Sequence, residues 1–284
     1  MEQLRSKEKL RDWVGQQKQQ GLRIGLVPTM GALHAGHLSL IREARQHADV
    51  VLVTLFVNPT QFAPNEDLDS YPRTWEADVA ACESEGAAAL FAPEVNDMYE
   101  GDASVTLIED RLSRGLCGRS RPTHFSGVLT IVLKLFNLSQ PDVAVFGEKD
   151  AQQIRLIRRM VRDLDVPVRI VGAPIIREAD GLAMSSRNRR LSPESRQEAL
   201  RIVESLRLAE TALAGGERDP AQLRQLVHTH LERASRGTVD YVELVDDESL
   251  EPLNSAIEGP ALLAVALLFP EARLIDNLRL LPDS

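Results

Sequence analysis

The feature that most constrains this chain is a repeated switch between two hydrophobic periods over its first 175 residues. LRIGLVP (22–28) and VVLVTLFV (50–57) are apolar runs of strand length, the second rich in Val. Strands that are apolar on both faces need cover on both, as in a parallel sheet sandwiched by helices. Between them, HLSLIREARQHA (37–48) spaces its apolar residues as an amphipathic helix does, which makes a βαβ unit with a right-handed crossover. The alternation continues as helix (74–86), strand (88–93), mostly buried helix (124–140), strand (142–146), helix (149–164) and strand (168–174). This order predicts an α/β fold, a Rossmann-like doubly wound parallel sheet.

Past about residue 175 the alternation stops. Helical stretches at 193–214 and 220–235 flank GGERDP, a Gly-Gly break ending in Pro at a helix start. Strand-like segments follow at 239–246, 261–269 and 272–280. Helices and then strands, unalternated, predict a smaller α+β domain. We therefore expect domains at 1–175 and 176–284. The longest apolar run, ALLAVALLF (261–269), ends at Pro270 and is too short to cross a bilayer as a helix. The first residues are charged throughout and lack the apolar centre of a signal peptide. Cys82 and Cys117 share no metal-ligand spacing and suggest no disulfide framework. A cytoplasmic protein without a membrane partner is the expectation. A net charge of −9, from 33 basic and 42 acidic residues with no basic block, argues against nucleic-acid binding. Anionic small substrates stay open, because they answer to the local field of a pocket.

Directly after the first strand, PTMGALHAGH (28–37) carries Gly31 and Gly36 into the first helix. Such a turn offers backbone N–H groups and the positive end of a helix dipole, where anions bind. His34 and His37 flank Gly36 in an H-x-G-H spacing, and an imidazole there can donate to a phosphoryl oxygen. One histidine at a helix start is usually a cap or solvated. Two, with glycines, at the carboxyl end of the first strand lie where open α/β sheets bind ligands. Zinc is disfavoured, since no third ligand lies in sequence reach.

FVNPTQF (56–62) follows the second strand, and the amides of Asn58 and Gln61 suit a small hydroxy acid. Asn-Pro also simply starts a turn, whereas Gln61 has no local structural duty. APNEDLDSYPR (63–73) reads as an acidic loop. RPTHFSGV (121–128) sets Arg121 and His124 at the start of a buried helix. A guanidinium there can hold a carboxylate or phosphate, or merely be solvated, and Thr123 can serve as the N-cap. In FGEKDAQQ (146–153), Lys149 opposes the dipole at a helix start, which hints at an anionic partner. Asp150 could hold Mg²⁺ directly or through water, and Gln153 should face the same way as Lys149. GLAMSSRN (181–188) is by itself an ordinary turn, although its serines and arginine could wrap β- and γ-phosphates.

H-x-G-H after a first Rossmann-like strand resembles the adenylate-forming and nucleotidyl-transferring superfamily that includes class I aminoacyl-tRNA synthetases. The full string PTMGALHAGH, with the four later motifs in order, resembles the pantothenate synthetase family over nearly the whole chain. The resemblance implies ATP-dependent joining of pantoate to β-alanine through an acyl-adenylate, with ATP and Mg²⁺, in a homodimer. It assigns phosphate stabilisation to His34 and His37, assisted by Lys149, Ser186 and Arg187. It gives ATP to Met30, His34, His37, the Gly147–Glu148–Lys149–Asp150 backbone, Ile176, Met184, Ser185, Ser186 and Arg187. Gln61 and Gln153 go to substrate, with Asn58, Arg121 and His124 beside them. The 63–73 stretch corresponds to a mobile loop, and the C-terminal domain to one that closes over the nucleotide. Thr123 and Ala151 depart from the family, which commonly has Gly and an aromatic there. Two rivals stand beside this reading: a nucleotidyltransferase that keeps AMP on its product, and a sensor that binds ATP without turnover.

Overall fold

The chain begins with a strand that its charged N-terminus does not advertise. In the computed structural model, which describes residues 1–64, 66 and 68–282, β1 is Glu2–Leu4. Helix α1 (Lys7–Gln19) follows, capped by Ser6, and buries the i, i+3, i+4 stripe Leu10, Trp13 and Val14. Next come β2 (Ile24–Thr29), α2 (Ala35–His47), β3 (Val50–Leu55), α3 (Trp75–Ser84) and β4 (Ala89–Phe91). Short helices α4 (Val95–Met98) and α5 (Leu116–Ser120) precede α6 (His124–Ser139), β5 (Val143–Gly147), α7 (Ala151–Asp163) and β6 (Arg169–Ala173). The remainder is α8 (Pro193–Glu198), α9 (Leu200–Ala214), α10 (Pro220–Leu231), β7 (Thr238–Asp246), β8 (Ala261–Leu268) and β9 (Arg273–Leu280).

The chain divides into two compact units. The first comprises residues 1–111, 121–148 and 153–174. Its sheet runs β1-β4-β3-β2-β5-β6 with every pairing parallel. The fold is therefore the expected Rossmann-like doubly wound sheet, with β1 added at one edge. Strand order reverses between β2 and β5, and the carboxyl ends of those strands form the switch point at which such sheets bind ligands. Val27, Ile41, Val51, Val53, Leu90 and Val145 pack as the core of this unit, which explains the double-faced apolarity of its strands.

The second unit comprises 112–120, 149–152 and 175–284. Here β7-β8-β9 form an antiparallel sheet. Ala261–Leu267 of β8 are buried and only its last residue, Leu268, is exposed, so the long apolar run is a central strand with cover on both faces. Leu206, Leu213, Leu223 and Val227 of α9 and α10 join Leu244, Leu263 and Val265 in this unit's core. The stretch read as one helix over 193–214 is two. At fully buried Ala199 the ladder tightens to an i→i−3 bond, Ile202 N–H to the Ala199 carbonyl at 3.1 Å. Among the described residues no helix is long and apolar enough to cross a membrane.

Candidate active site

The turn after β2 is built by two glycine-like backbone positions and one buried acid. Gly31 (φ +85°) and Ala32 (φ +52°) are both left-handed. A Cβ on Gly31 would stand 3.1 Å from Asp78 Oδ2, so conformation and space both ask for glycine there. Asp78, on α3 and 4 % exposed, accepts from the N–H groups of Ala32 (2.9 Å) and Leu33 (2.8 Å). Thr29 Oγ1 takes the Gly31 N–H at 3.2 Å. This differs from the expectation that the turn's amides point at a ligand: those of residues 31–33 are spent inside the protein. Ala35 and Gly36, the first residues of α2, make no backbone–backbone N–H bond among the described residues, as expected at a helix start. Sequence reasoning does not single out Asp78. The available signal is an acid four residues before Cys82 on the buried face of α3.

At the start of α2, the His34 backbone N–H donates to His37 Nδ1 at 3.3 Å. A backbone N–H can only donate, so Nδ1 is the acceptor and the ring proton of neutral His37 lies on Nε2. The two rings stack with centroids 4.0 Å apart and planes 36° apart. The H-x-G-H spacing therefore yields an oriented imidazole pair.

Gln61 is the centre of a second cluster in the same unit. Its carbonyl accepts from His124 Nδ1 at 2.8 Å and from Arg121 Nη2 at 3.3 Å. Its side-chain Nε2 lies 2.8 Å from Met30 Sδ, and its Oε1 accepts from Asn58 Nδ2 at 3.3 Å. Helix α6 approaches this turn closely enough that a Cβ on Gly127 would meet the Thr60 carbonyl oxygen at 2.4 Å. The structure thus brings Met30, Asn58, Gln61, Arg121 and His124 together, but in unequal roles.

Asn58 requires a correction. It is fully buried: Nδ2 also donates to the Gly127 carbonyl (3.1 Å), and Oδ1 accepts from Thr60 Oγ1 (3.0 Å) and Tyr99 Oη (2.8 Å). Its amide is consumed in holding the turn and has no capacity left for a substrate. Arg121 is likewise engaged, gripping both carboxylate oxygens of Glu66 at 2.6 Å each. Burial raises the Glu66 carboxyl, but the guanidinium outweighs it and leaves the group below its usual range. Thr123 occupies the N-cap position of α6, but with helical backbone and no side-chain cap bond, so the expected threonine cap does not form. Of the loop at 63–73, Asn65 and Asp67 lie outside the described residues.

Gly147 ends β5, and Glu148–Asp150 form a 3₁₀ turn leading into α7. The Glu148 carboxylate accepts from Arg158 (3.0 Å) and Arg155 (3.4 Å). Lys149 and Gln153 are half-buried and Asp150 is exposed, while Ala151 is packed at 5 % exposure.

In the second unit the Ser-Ser-Arg segment caps its own 3₁₀ turn. Ser185 Oγ accepts from the Arg187 N–H at 3.3 Å, and Ser186 and Arg187 are half-buried behind it. The Ile176 carbonyl takes the Met184 N–H at 2.9 Å, which ties those two predicted nucleotide contacts to one hairpin. Lys149, Ser185, Asn188 and Asp276 all line one small cavity of about 10 Å³. Among the described residues no group of three His, Cys, Asp or Glu could hold a metal ion.

Comparison with known proteins gives the family and the fold. The family model described as pantoate-beta-alanine ligase matches residues 2–279. The pantothenate synthetase of Thermotoga petrophila is 51 % identical over 270 residues, covering 95 % of this chain and 96 % of its own. That of Enterococcus faecalis is 51 % identical over 268 residues, covering 94 % and 95 %. Among solved structures, pantothenate synthetase from Thermus thermophilus superposes with a TM-score of 0.92 at 43 % identity, covering 98 % of this chain and 99 % of that one. The pantoate-beta-alanine ligase of Francisella tularensis, complexed with β,γ-ATP and β-alanine, gives 0.81 at 32 % identity and covers 100 % and 98 %. A matching family model, relatives sharing half their residues and the same fold from end to end place the chain in the pantoate–β-alanine ligase family.

Proposed function

We infer that this protein condenses pantoate with β-alanine to pantothenate at the expense of ATP, through a pantoyl-adenylate. A pantoate carboxylate oxygen attacks the α-phosphorus and pyrophosphate leaves. The β-alanine amine then attacks the acyl carbon, and AMP departs with its bonding pair. No covalent enzyme intermediate is needed, so the protein's work is positioning and neutralising charge. The observation that carries this reading is the oriented histidine pair at the sheet's switch point. His37, held at Nδ1 by the His34 amide, carries its ring proton on Nε2 at a helix N-terminus. A fixed donor beside the first amides of a helix suits the charge that develops on a transferring phosphoryl group.

The remaining roles are those the family resemblance implies. Lys149, Ser186 and Arg187 follow the β- and γ-phosphates, and Ile176, Met184 and Ser185 support the nucleotide. Gln61 and Gln153 bind pantoate, with Gln61 also reaching the amine. Mg²⁺ arrives with ATP, largely held by phosphate and water, as that ion prefers. Asp150 is the acid we assign to it, directly or through water. Reduced, buried cysteines fit a cytoplasmic enzyme. A homodimer is what the family resemblance implies.

The test is exchange of labelled pyrophosphate into ATP with Mg²⁺ present and β-alanine absent. Exchange that depends on pantoate is expected, and β-alanine should then release AMP and pantothenate together. Folded, ATP-binding protein that shows no exchange would overturn the reading. AMP retained on the product would convert it into nucleotidyl transfer.

A further inference from the structure

Two of the elements assigned to the ATP phosphates, Lys149 and the Ser185–Arg187 turn, lie far apart in sequence. One dipeptide on β9 is tied to both. Asn277, 7 % exposed, donates from Nδ2 to the Lys149 carbonyl at 2.9 Å. Its neighbour Asp276, 2 % exposed, accepts from Arg177 Nη1 at 2.6 Å and Nη2 at 3.1 Å. Arg177 in turn donates to the Gly181 carbonyl at 3.1 Å, and a β-bridge from Arg177 to Ala183 closes the hairpin from which Met184 to Arg187 emerge. Buried Asn188 locks the far end, donating to Glu178 Oε1 at 2.6 Å and the Ala183 carbonyl at 3.1 Å. Asp276 Oδ1 also accepts the Asn277 N–H at 2.8 Å, so one carboxylate orients its own neighbour.

We propose that Asp276 and Asn277 are positioning residues for the ATP phosphates, setting Lys149 and the Ser185–Arg187 turn on a single rigid frame. The proposal rests on assigning those two elements to the triphosphate. Its physical basis is that a buried, fully bonded carboxylate admits little displacement. A strand in an antiparallel sheet is also stiffer than either turn it holds. The partners mark the dipeptide as more than core stability: Asn277 reaches the Lys149 backbone, and Asp276 reaches the arm of the phosphate turn. Asn277 holds a backbone atom of one predicted phosphate contact, Asp276 holds the side chain of Arg177 on the arm that leads to the other, and Lys149, Ser185, Asn188 and Asp276 line one small cavity. The two residues touch no reacting atom themselves and act through what they hold.

The experiment compares full-length wild type with Asn277→Leu, which removes the amide donor, and Asp276→Asn, which keeps shape but loses charge. ATP and AMP are titrated calorimetrically with Mg²⁺ and no acid substrate, and thermal unfolding is recorded in parallel. The expected result is that each variant loses roughly 10- to 100-fold of its preference for ATP over AMP while AMP affinity stays within about twofold, since a misplaced phosphate contact costs on that order. If both folded variants keep the wild-type preference, or if ATP and AMP affinity fall together with unfolding temperature, the pair is structural and the proposal is wrong. Should Asn277→Leu fail to fold, the isosteric Asp276→Asn decides alone. Because the readout needs no pantoate, absence of pantoate-dependent exchange in wild type would count against the functional reading and not against this frame.

Discussion

The turn bearing His34 and His37 and the turn bearing Ser185 to Arg187 are held in place by different kinds of physics. The first follows a parallel strand and opens a thirteen-residue helix, so backbone geometry brings helix amides and dipole to the switch point. Asp78 then trims that turn with two hydrogen bonds. The second opens only a five-residue 3₁₀ turn and owes its place to side chains from β9 and from Asn188. Where secondary structure makes the site, a short local string records it. Where tertiary contacts make it, the local string is ordinary. The same split runs through the Gln61 cluster, whose members come from separate segments and whose hub, Asn58, gives all its bonds to the protein.

The comparison can be broken most sharply at His37. His37→Ala should slow single-turnover adenylate formation by roughly 10²–10³, about 2.7–4 kcal/mol, as for removal of one preorganised donor. Near-wild-type adenylation would mean that the first turn positions nothing critical and that the second carries the chemistry. Next in size is Asn58→Leu. It removes the hydrogen bonds to the Gly127 carbonyl, Gln61 Oε1 and the Tyr99 hydroxyl, and should cost about 2–3 kcal/mol in urea unfolding. It should also raise KM for pantoate and β-alanine more than for ATP. Unchanged stability with a raised KM would return Asn58 to direct substrate contact. The smallest effect is expected at Glu66. Its folded carboxyl is lowered, so the Arg121 pair stabilises the protein above the unfolded value of about 4.3 and loses that contribution as pH falls through the lower folded value. Melting curves between pH 7 and pH 3 should fall more steeply in wild type than in Glu66→Gln. Parallel curves would show that the pair adds nothing to stability.

Legibility followed the same line. The strands of the Rossmann-like sheet were readable because burial on both faces leaves Val-rich runs, as in VVLVTLFV. β1 was not, because three residues at a sheet edge carry too little apolar pattern to register. The split at Ala199 escaped because an alanine fits a helix and a tightened turn equally well. PTMGALHAGH and GEKD sit at strand-to-helix junctions that their own residues specify. Gln61 stood out as a polar residue without local duty, yet its partners Arg121 and His124 lie more than fifty positions away. Asp78, Tyr99, Asp276 and Asn277 went unread, since hydrogen bonds across such distances leave no periodicity.

By itself the sequence determined the layer architecture and the switch-point location, because periodicity and helix-start chemistry act within a few residues, and its motif strings carried the resemblance to the family. Only the tertiary structure decided which polar groups remain able to meet a ligand. It engaged the Asn58 amide, the Nε and Nη2 edge of Arg121 and the amides of residues 31–33 inside the protein. The reason is that hydrogen-bonding capacity is finite, and whether an amide or guanidinium has any left depends on groups that folding brings from elsewhere in the chain.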